Sequence, residues 1–231
     1  MTLPSADEKA LVVQAMFDRI APHYDRMNRL LTFGMDQRWR RRTLDLIGLK
    51  AGETILDVAC GTGDFTEMCR SRGAEVVATD YAAQMLHHAN LRGMRGLLVR
   101  GDAMNMPLAT GVFDALVCGF ALRNFASLQP AFDEMARVLK PGGRVGLLEV
   151  DRPANALIRF GHSLYFDRIV PLVGSLLADR KAYSYLPESA VYLPPWPKMK
   201  AMLEQAGFTD VKHENAMLGA VQIVTGVRKA S

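Results

Sequence analysis

"DVACGTGDFT", Asp57–Thr66, ends a short apolar run with Gly61 and Gly63 and then sets an acid, Asp64, where a helix should start. Glycines at that point let the backbone turn sharply and approach a ligand with no Cβ in the way. A dinucleotide-binding loop would add a third glycine and keep the helix N-terminus open for a pyrophosphate, but Thr66 holds the third position. A carboxylate at that N-terminus repels phosphate. The pattern predicts a ligand that lacks phosphate and carries positive charge, so that acids around the loop attract it.

Outward from this loop, residues 53–59, 74–80, 96–102, 113–120 and 144–150 are short, apolar runs bounded by glycine or acid, and they read as buried strands. Helical patterns separate them. The clearest is "SLQPAFDEMARVLKPGG", where Leu128, Phe132, Met135, Val138 and Leu139 share a face and Pro141-Gly142-Gly143 ends it. Alternating strand and helix predicts an α/β fold: a Rossmann-like, mostly parallel sheet with helices on both faces.

The 231 residues read as one domain. Residues 1–50 form an N-terminal helical cap: a helix from Ser5, with Glu8 at capping-box spacing, then two helices broken around Gly34. Residues 51–151 are the binding core. Residues 152–195, rich in aromatics and prolines, interrupt the alternation as a lid, and 196–231 supply a last helix and a hairpin about Leu218-Gly219, bringing the sheet to seven strands.

Composition narrows the function classes. A 49% hydrophobic and 23% charged chain can bury a core. Net charge of +4 with a pI near 9.0 falls short of a dedicated nucleic-acid binder, so none is expected as partner. The basic run "RWRRR", Arg38–Arg42, could touch membrane phosphates, or serve as a solvated helix face. Cys60, Cys69 and Cys118 lack metal or disulfide spacing, so no metal is expected and a reducing cytoplasm fits. No apolar run spans a membrane, and "MTLPSADEK" has no signal-peptide core.

In open α/β sheets ligands lie over the carboxyl ends of strands. The second strand ends in Asp80-Tyr81, about 20 residues past the glycines, where an acid accepts hydrogen bonds from ribose hydroxyls. The third ends in Asp102-Ala103, suited to an adenine amino group and ring. Each acid alone could be a helix cap; together they outline a nucleoside site.

With "LDVACGTGD", "ATD", "GDA" and "FDALVCGF", the chain resembles the class I S-adenosylmethionine-dependent methyltransferases. More narrowly it resembles the ubiquinone/menaquinone biosynthesis C-methyltransferase family, through "YDRMNRLLTFGMDQRW" (Tyr24–Trp39), "RVLKPGGRVGLLEVD" (Arg137–Asp151), "ALRNF" and "YSYLPES". The resemblance implies a class I methyltransferase domain with S-adenosylmethionine as methyl donor and S-adenosylhomocysteine as product. Asp57, Gly61, Thr62, Gly63, Asp80, Tyr81, Asp102, Ala103 and Gly119 are the implied cofactor residues. The implied reaction is methylation of a ring carbon of a lipophilic polyprenyl quinol, demethylmenaquinol to menaquinol or the benzoquinol counterpart, in the cytoplasm and with a peripheral membrane contact.

Carbon is a poor nucleophile unless the neighbouring hydroxyl loses its proton, so the site must favour phenolate character. Arg123 is the candidate for stabilising that charge, Asn124 for holding a quinol oxygen, and Tyr24 for proton acceptance or orientation, ahead of His23, Asp25 and Asp36. Aromatics such as Phe160, Tyr165 and Tyr183 could wall the tail. Where the family usually carries Ser, His, Ser and Ser, this chain has Thr32, Asp36, Gly119 and Asp151, and Ala121 replaces a glycine. These departures keep two alternatives open, another small phenolic acceptor or a non-catalytic cofactor-binding subunit of a quinone-biosynthesis complex. A dehydrogenase remains a rival for the glycine loop, and a homodimer is left open.

Overall fold

In the computed structural model, residues 6–94, 98–151, 153, 189 and 192–230 are described. Seven strands form one sheet: β1 (Thr54–Val58), β2 (Glu75–Asp80), β3 (Leu98–Arg100), β4 (Phe113–Gly119), β5 (Leu139–Val150), β6 (Phe208–Ala216) and β7 (Val221–Arg228). Their order is β3-β2-β1-β4-β5-β7-β6. The first five pair in parallel, as expected of buried runs joined by helical crossovers. β7 returns antiparallel beside β5, so it is β6 that forms the edge.

Period-two alternation splits the core between the two faces of the sheet. Leu56, Val58, Leu116 and Cys118 join a cluster with Phe132, Met135, Leu203 and Phe208; Ile55, Ala115 and Val117 face Leu44, Phe65 and Cys69. The helices supplying these contacts are α3 (Met35–Leu46) and α4 (Asp64–Ser71) on one side, α6 (Leu128–Val138) and α7 (Trp196–Gln205) on the other. A third cluster, around Met16, Ile20, Met27 and Met85, packs α1 (Ala6–Ile20) and α2 (Tyr24–Leu31) onto α5 (Ala83–Leu91).

The elements follow the sequence pattern with instructive differences. The break expected around Gly34 is real, with Phe33 and Gly34 both left-handed at φ 52° and 72°. Pairing of β5 starts at Leu139, opposite Phe113, before the glycines expected to separate helix from strand. Pairing lapses over Lys140–Gly143, where Gly142 turns at φ 76°, and resumes at Arg144. Most of the stretch read as a lid, including Phe160, Tyr165 and Tyr183, lies outside the described residues, as does Ser5. No described helix is long and apolar enough to cross a membrane.

Candidate active site

Strand order reverses between β1 and β4, the switch point of the sheet, and a cleft opens over their carboxyl ends. Gly61, Asp80, Tyr81, Asp102, Ala103 and Gly119 line it. Tyr24 and Asn124 line it too. The N-terminal cap adds Val13, Gln14 and Phe17 of α1, residues the sequence did not single out. Val13 and Phe17 stand four apart on one helix face, but that spacing does not say whether the face meets a core or a ligand.

The glycine loop adopts the conformation its residues permit. Gly61 and Gly63 are left-handed, at φ 58° and 95°, and Met94 packs where a Cβ on Gly63 would stand. The Gly61 amide donates to Asp80 Oδ2 at 2.8 Å, while the Ala82 amide donates to Asp80 Oδ1 at 2.8 Å. Asp80 thus ties the loop to the end of β2, and desolvation by its surroundings pushes its carboxyl up to about 6. Asp102 Oδ1 accepts from the Met104 amide at 2.9 Å, closing a local turn with no helix behind it, and the residue borders the cleft.

Asp57, Thr62 and Gly63 are absent from the described lining and form the underside of the loop. Thr66 Oγ1 donates to Asp57 Oδ2 at 2.7 Å, which gives the residue at the third-glycine position a structural task. Burial pushes the Asp57 carboxyl up to about 7. The Thr62 hydroxyl donates to Asp25, whose other oxygen meets Arg92 at 3.2 Å.

Asp64 corrects the expectation drawn from the loop's charge. Its carboxylate turns to the cap instead of the cleft, accepting from Arg29 Nη1 and Nη2 at 3.0 Å each, Arg92 at 3.1 Å and Gln37 at 3.2 Å. Burial acts upward on this carboxyl, but the Arg29 hydrogen bonds and the field of Arg40 outweigh it and hold it well below the usual range. The acid is a clamp for α2, α3 and α5, not a partner for a cationic ligand. Sequence could not show this because the arginines arrive from separate elements.

The other candidates divide in the same way. Asp36 is 1% exposed and bonded to Arg29 at 2.8 Å and Thr32 at 3.0 Å, so the Thr32 and Asp36 departures form one internal pair that does not line the cleft. His23 lies on an outer groove with Arg26 and Leu30. In "RWRRR" only Arg38, Arg41 and Arg42 are exposed; Trp39 packs edge-on to Phe120, and Arg40 is buried.

A 3-10 turn, Leu122–Asn124, follows β4. Arg123 sits behind the described lining, paired through Nη1 with buried Glu149 of β5 and donating from Nε to Ser189 Oγ at 3.1 Å. Asn124 does reach the cleft, and its Oδ1 is buried with no hydrogen-bond partner. Lys9 of α1 binds the next carbonyl, Phe125 O, at 2.8 Å with Tyr192 beneath it, and burial lowers its ammonium to about 8. Burial raises the Tyr24 phenol, opposed by its Asn28 hydrogen bond and the fields of Arg40 and Arg123. Among the described residues, no three His, Cys, Asp or Glu side chains are placed to hold a metal ion.

A nucleoside with a cationic tail fits this arrangement: acidic side chains at two strand ends, backbone open at Gly61, and a carbonyl oxygen on Asn124 that has no partner among the described residues. Comparison with known proteins agrees. The ubiE/COQ5 methyltransferase family profile matches residues 4–228. A demethylmenaquinone methyltransferase of Roseiflexus castenholzii is 41% identical over 232 residues, covering 98% of each chain. One of Thermus thermophilus is 43% identical over 220 residues, 92% of this chain and 100% of that one. In structure, a SAM-dependent methyltransferase of Thermotoga maritima superposes with a TM-score of 0.68 at 18% identity, over 93% of this chain and 99% of the other. Phosphoethanolamine N-methyltransferase 2 of Haemonchus contortus, in complex with S-adenosyl-L-methionine, gives 0.61 at 15% identity, over 82% and 52%.

Proposed function

Because this chain belongs to the ubiE/COQ5 methyltransferase family, we propose that it methylates a ring carbon of a reduced polyprenyl quinone, demethylmenaquinol to menaquinol. The observation that carries the reading is Asn124. Its unpartnered Oδ1 lies in the same cleft as the nucleoside-binding strand ends, where it can accept a hydrogen bond from a quinol hydroxyl.

Bound S-adenosylmethionine supplies a methyl group on a positively charged sulfur. Asp80 and Asp102 offer acceptors to a ribose and an adenine, and Gly61 allows the ligand close to the backbone. Tyr24, with its raised proton affinity, stays protonated at neutral pH and therefore serves as a hydrogen-bond donor that orients the acceptor, not as the base. Arg123 acts through position: its pair with Glu149 anchors the turn that carries Asn124 and offsets its own charge. Among His23, Tyr24, Asp25 and Asp36, only Tyr24 borders the cleft.

The test is methyl transfer from labelled S-adenosylmethionine to demethylmenaquinol. Label should appear in the extracted quinone, and absence of transfer by the pure protein would overturn the assignment. Asn124→Ala should lower kcat by about 100-fold with S-adenosylhomocysteine affinity unchanged, the size expected for losing one preorganised polar contact to the reacting group. A greasy acceptor further implies a peripheral position at a membrane. Exposed Leu30 beside Arg26 and His23, with Phe33 76% exposed at the following turn, offers an apolar and basic edge suited to anionic lipid.

A further inference from the structure

We propose that Arg40 receives an anionic oxygen at the floor of the cleft, either the carboxylate of the methyl donor or the ionised hydroxyl of the acceptor, and this rests on the methyltransferase reading above. Arg40 is 5% exposed, and its guanidinium lies over the rings of Phe65 and Phe120, 5.0 and 5.5 Å from their centroids. It approaches Asp64 at 3.6 Å and Asp36 at 4.0 Å, but those carboxylates accept closer hydrogen bonds from Arg29, Arg92, Gln37 and Thr32. Among the described residues Arg40 makes no hydrogen bond, and its buried Nε is unpartnered.

A guanidinium has five N–H donors in a fixed fork, and leaving them unmet in a buried site is costly. The guanidinium packs against two residues that border the cleft, Gly119 and Phe120. A Cβ on Gly119, a cleft residue, would fall 2.7 Å from Arg40 Nη1, so the absence of a side chain where the resembling family usually has serine leaves that space to the guanidinium. The other described cations nearby are already engaged: Arg123 by Glu149 and Ser189, Arg29 and Arg92 by Asp64, Lys9 by the Phe125 carbonyl. Among the described residues Arg40 is the buried guanidinium beside the cleft with donors to spare, and both reactants bring an oxyanion.

Arg40→Gln separates the sources. Calorimetry would compare S-adenosylhomocysteine with 5′-methylthioadenosine, which keeps the adenosine and thioether but has no carboxylate. If Arg40 holds the donor's carboxylate, the variant weakens the first ligand at least about tenfold and leaves the second unaltered, which also shows the pocket is folded. If it holds the acceptor, both ligands bind normally while kcat/KM for demethylmenaquinol falls about tenfold or more and its pH profile moves to alkaline values. Equal weakening of both ligands marks a purely structural residue and overturns the proposal, as do unchanged binding and turnover. Failure of the unaltered protein to methylate demethylmenaquinol would bring down the substrate assignment alone; selective weakening of S-adenosylhomocysteine by Arg40→Gln would still support the role of Arg40.

Discussion

Asp57 shows how a single residue near the loop serves the fold. It is 1% exposed and held by Thr66, with a carboxyl raised to about 7 by burial. A raised folded pKa means that the native chain keeps a proton the unfolded chain has already lost, so stability falls as pH rises from about 4 through about 7. Asp57→Asn can keep the Thr66 hydrogen bond and removes the buried charge. It should stabilise the ligand-free protein at pH 8 by about 2 to 4 kcal/mol and flatten the decline of Tm between pH 5 and pH 8. An equally steep decline in the variant would refute this account. The residue type was legible in "LDVACGTGD"; that it faces Thr66 was not, because a strand-end acid can point to either side of the loop.

At the scale of elements, the cap is joined to the core through charge. Asp64 at the start of α4 gathers Arg29 from α2, Arg40 from α3 and Arg92 from just past α5. Asp64→Asn leaves these guanidiniums without their shared counter-charge. Discounted for the partial exposure of Arg29 and Arg92, the loss should be about 2 to 3 kcal/mol, read as a lower denaturation midpoint and faster amide exchange across α2 and α3. Because the folded-state pKa of Asp64 is depressed, the contribution is present above about pH 4 and disappears in more acid solution, so wild-type and variant stabilities should converge there. Unchanged exchange in α2 would show that packing around Met27 alone seats the cap.

For the whole molecule, the cleft lies between a rigid sheet and a helical cap, so one face of α2 borders the reactants through Tyr24 while another carries Arg26 and Leu30 to solvent. That geometry predicts co-sedimentation with phosphatidylglycerol vesicles, weakened by added salt and several-fold lower for Leu30→Asp, with little binding to phosphatidylcholine. Equal binding to both lipids, or none to either, would remove this surface from the account.

Strand runs, crossovers, the glycine turn and the acids at strand ends were determined by the sequence itself, because period, backbone freedom and residue chemistry are local properties. The assignment of each charge was not. Asp64, Asp36 and Arg40 read alike as polar residues on helices, and their partners lie up to 35 positions away in Arg29 and Asp64. Only the packing of α2, α3 and α4 on the sheet decided which carboxylates neutralise arginines, which border the cleft, and that the buried Arg40 Nε is left without a hydrogen bond among the described residues. Electrostatic energy depends on distance and burial in three dimensions, and the order of residues along the chain does not encode either directly.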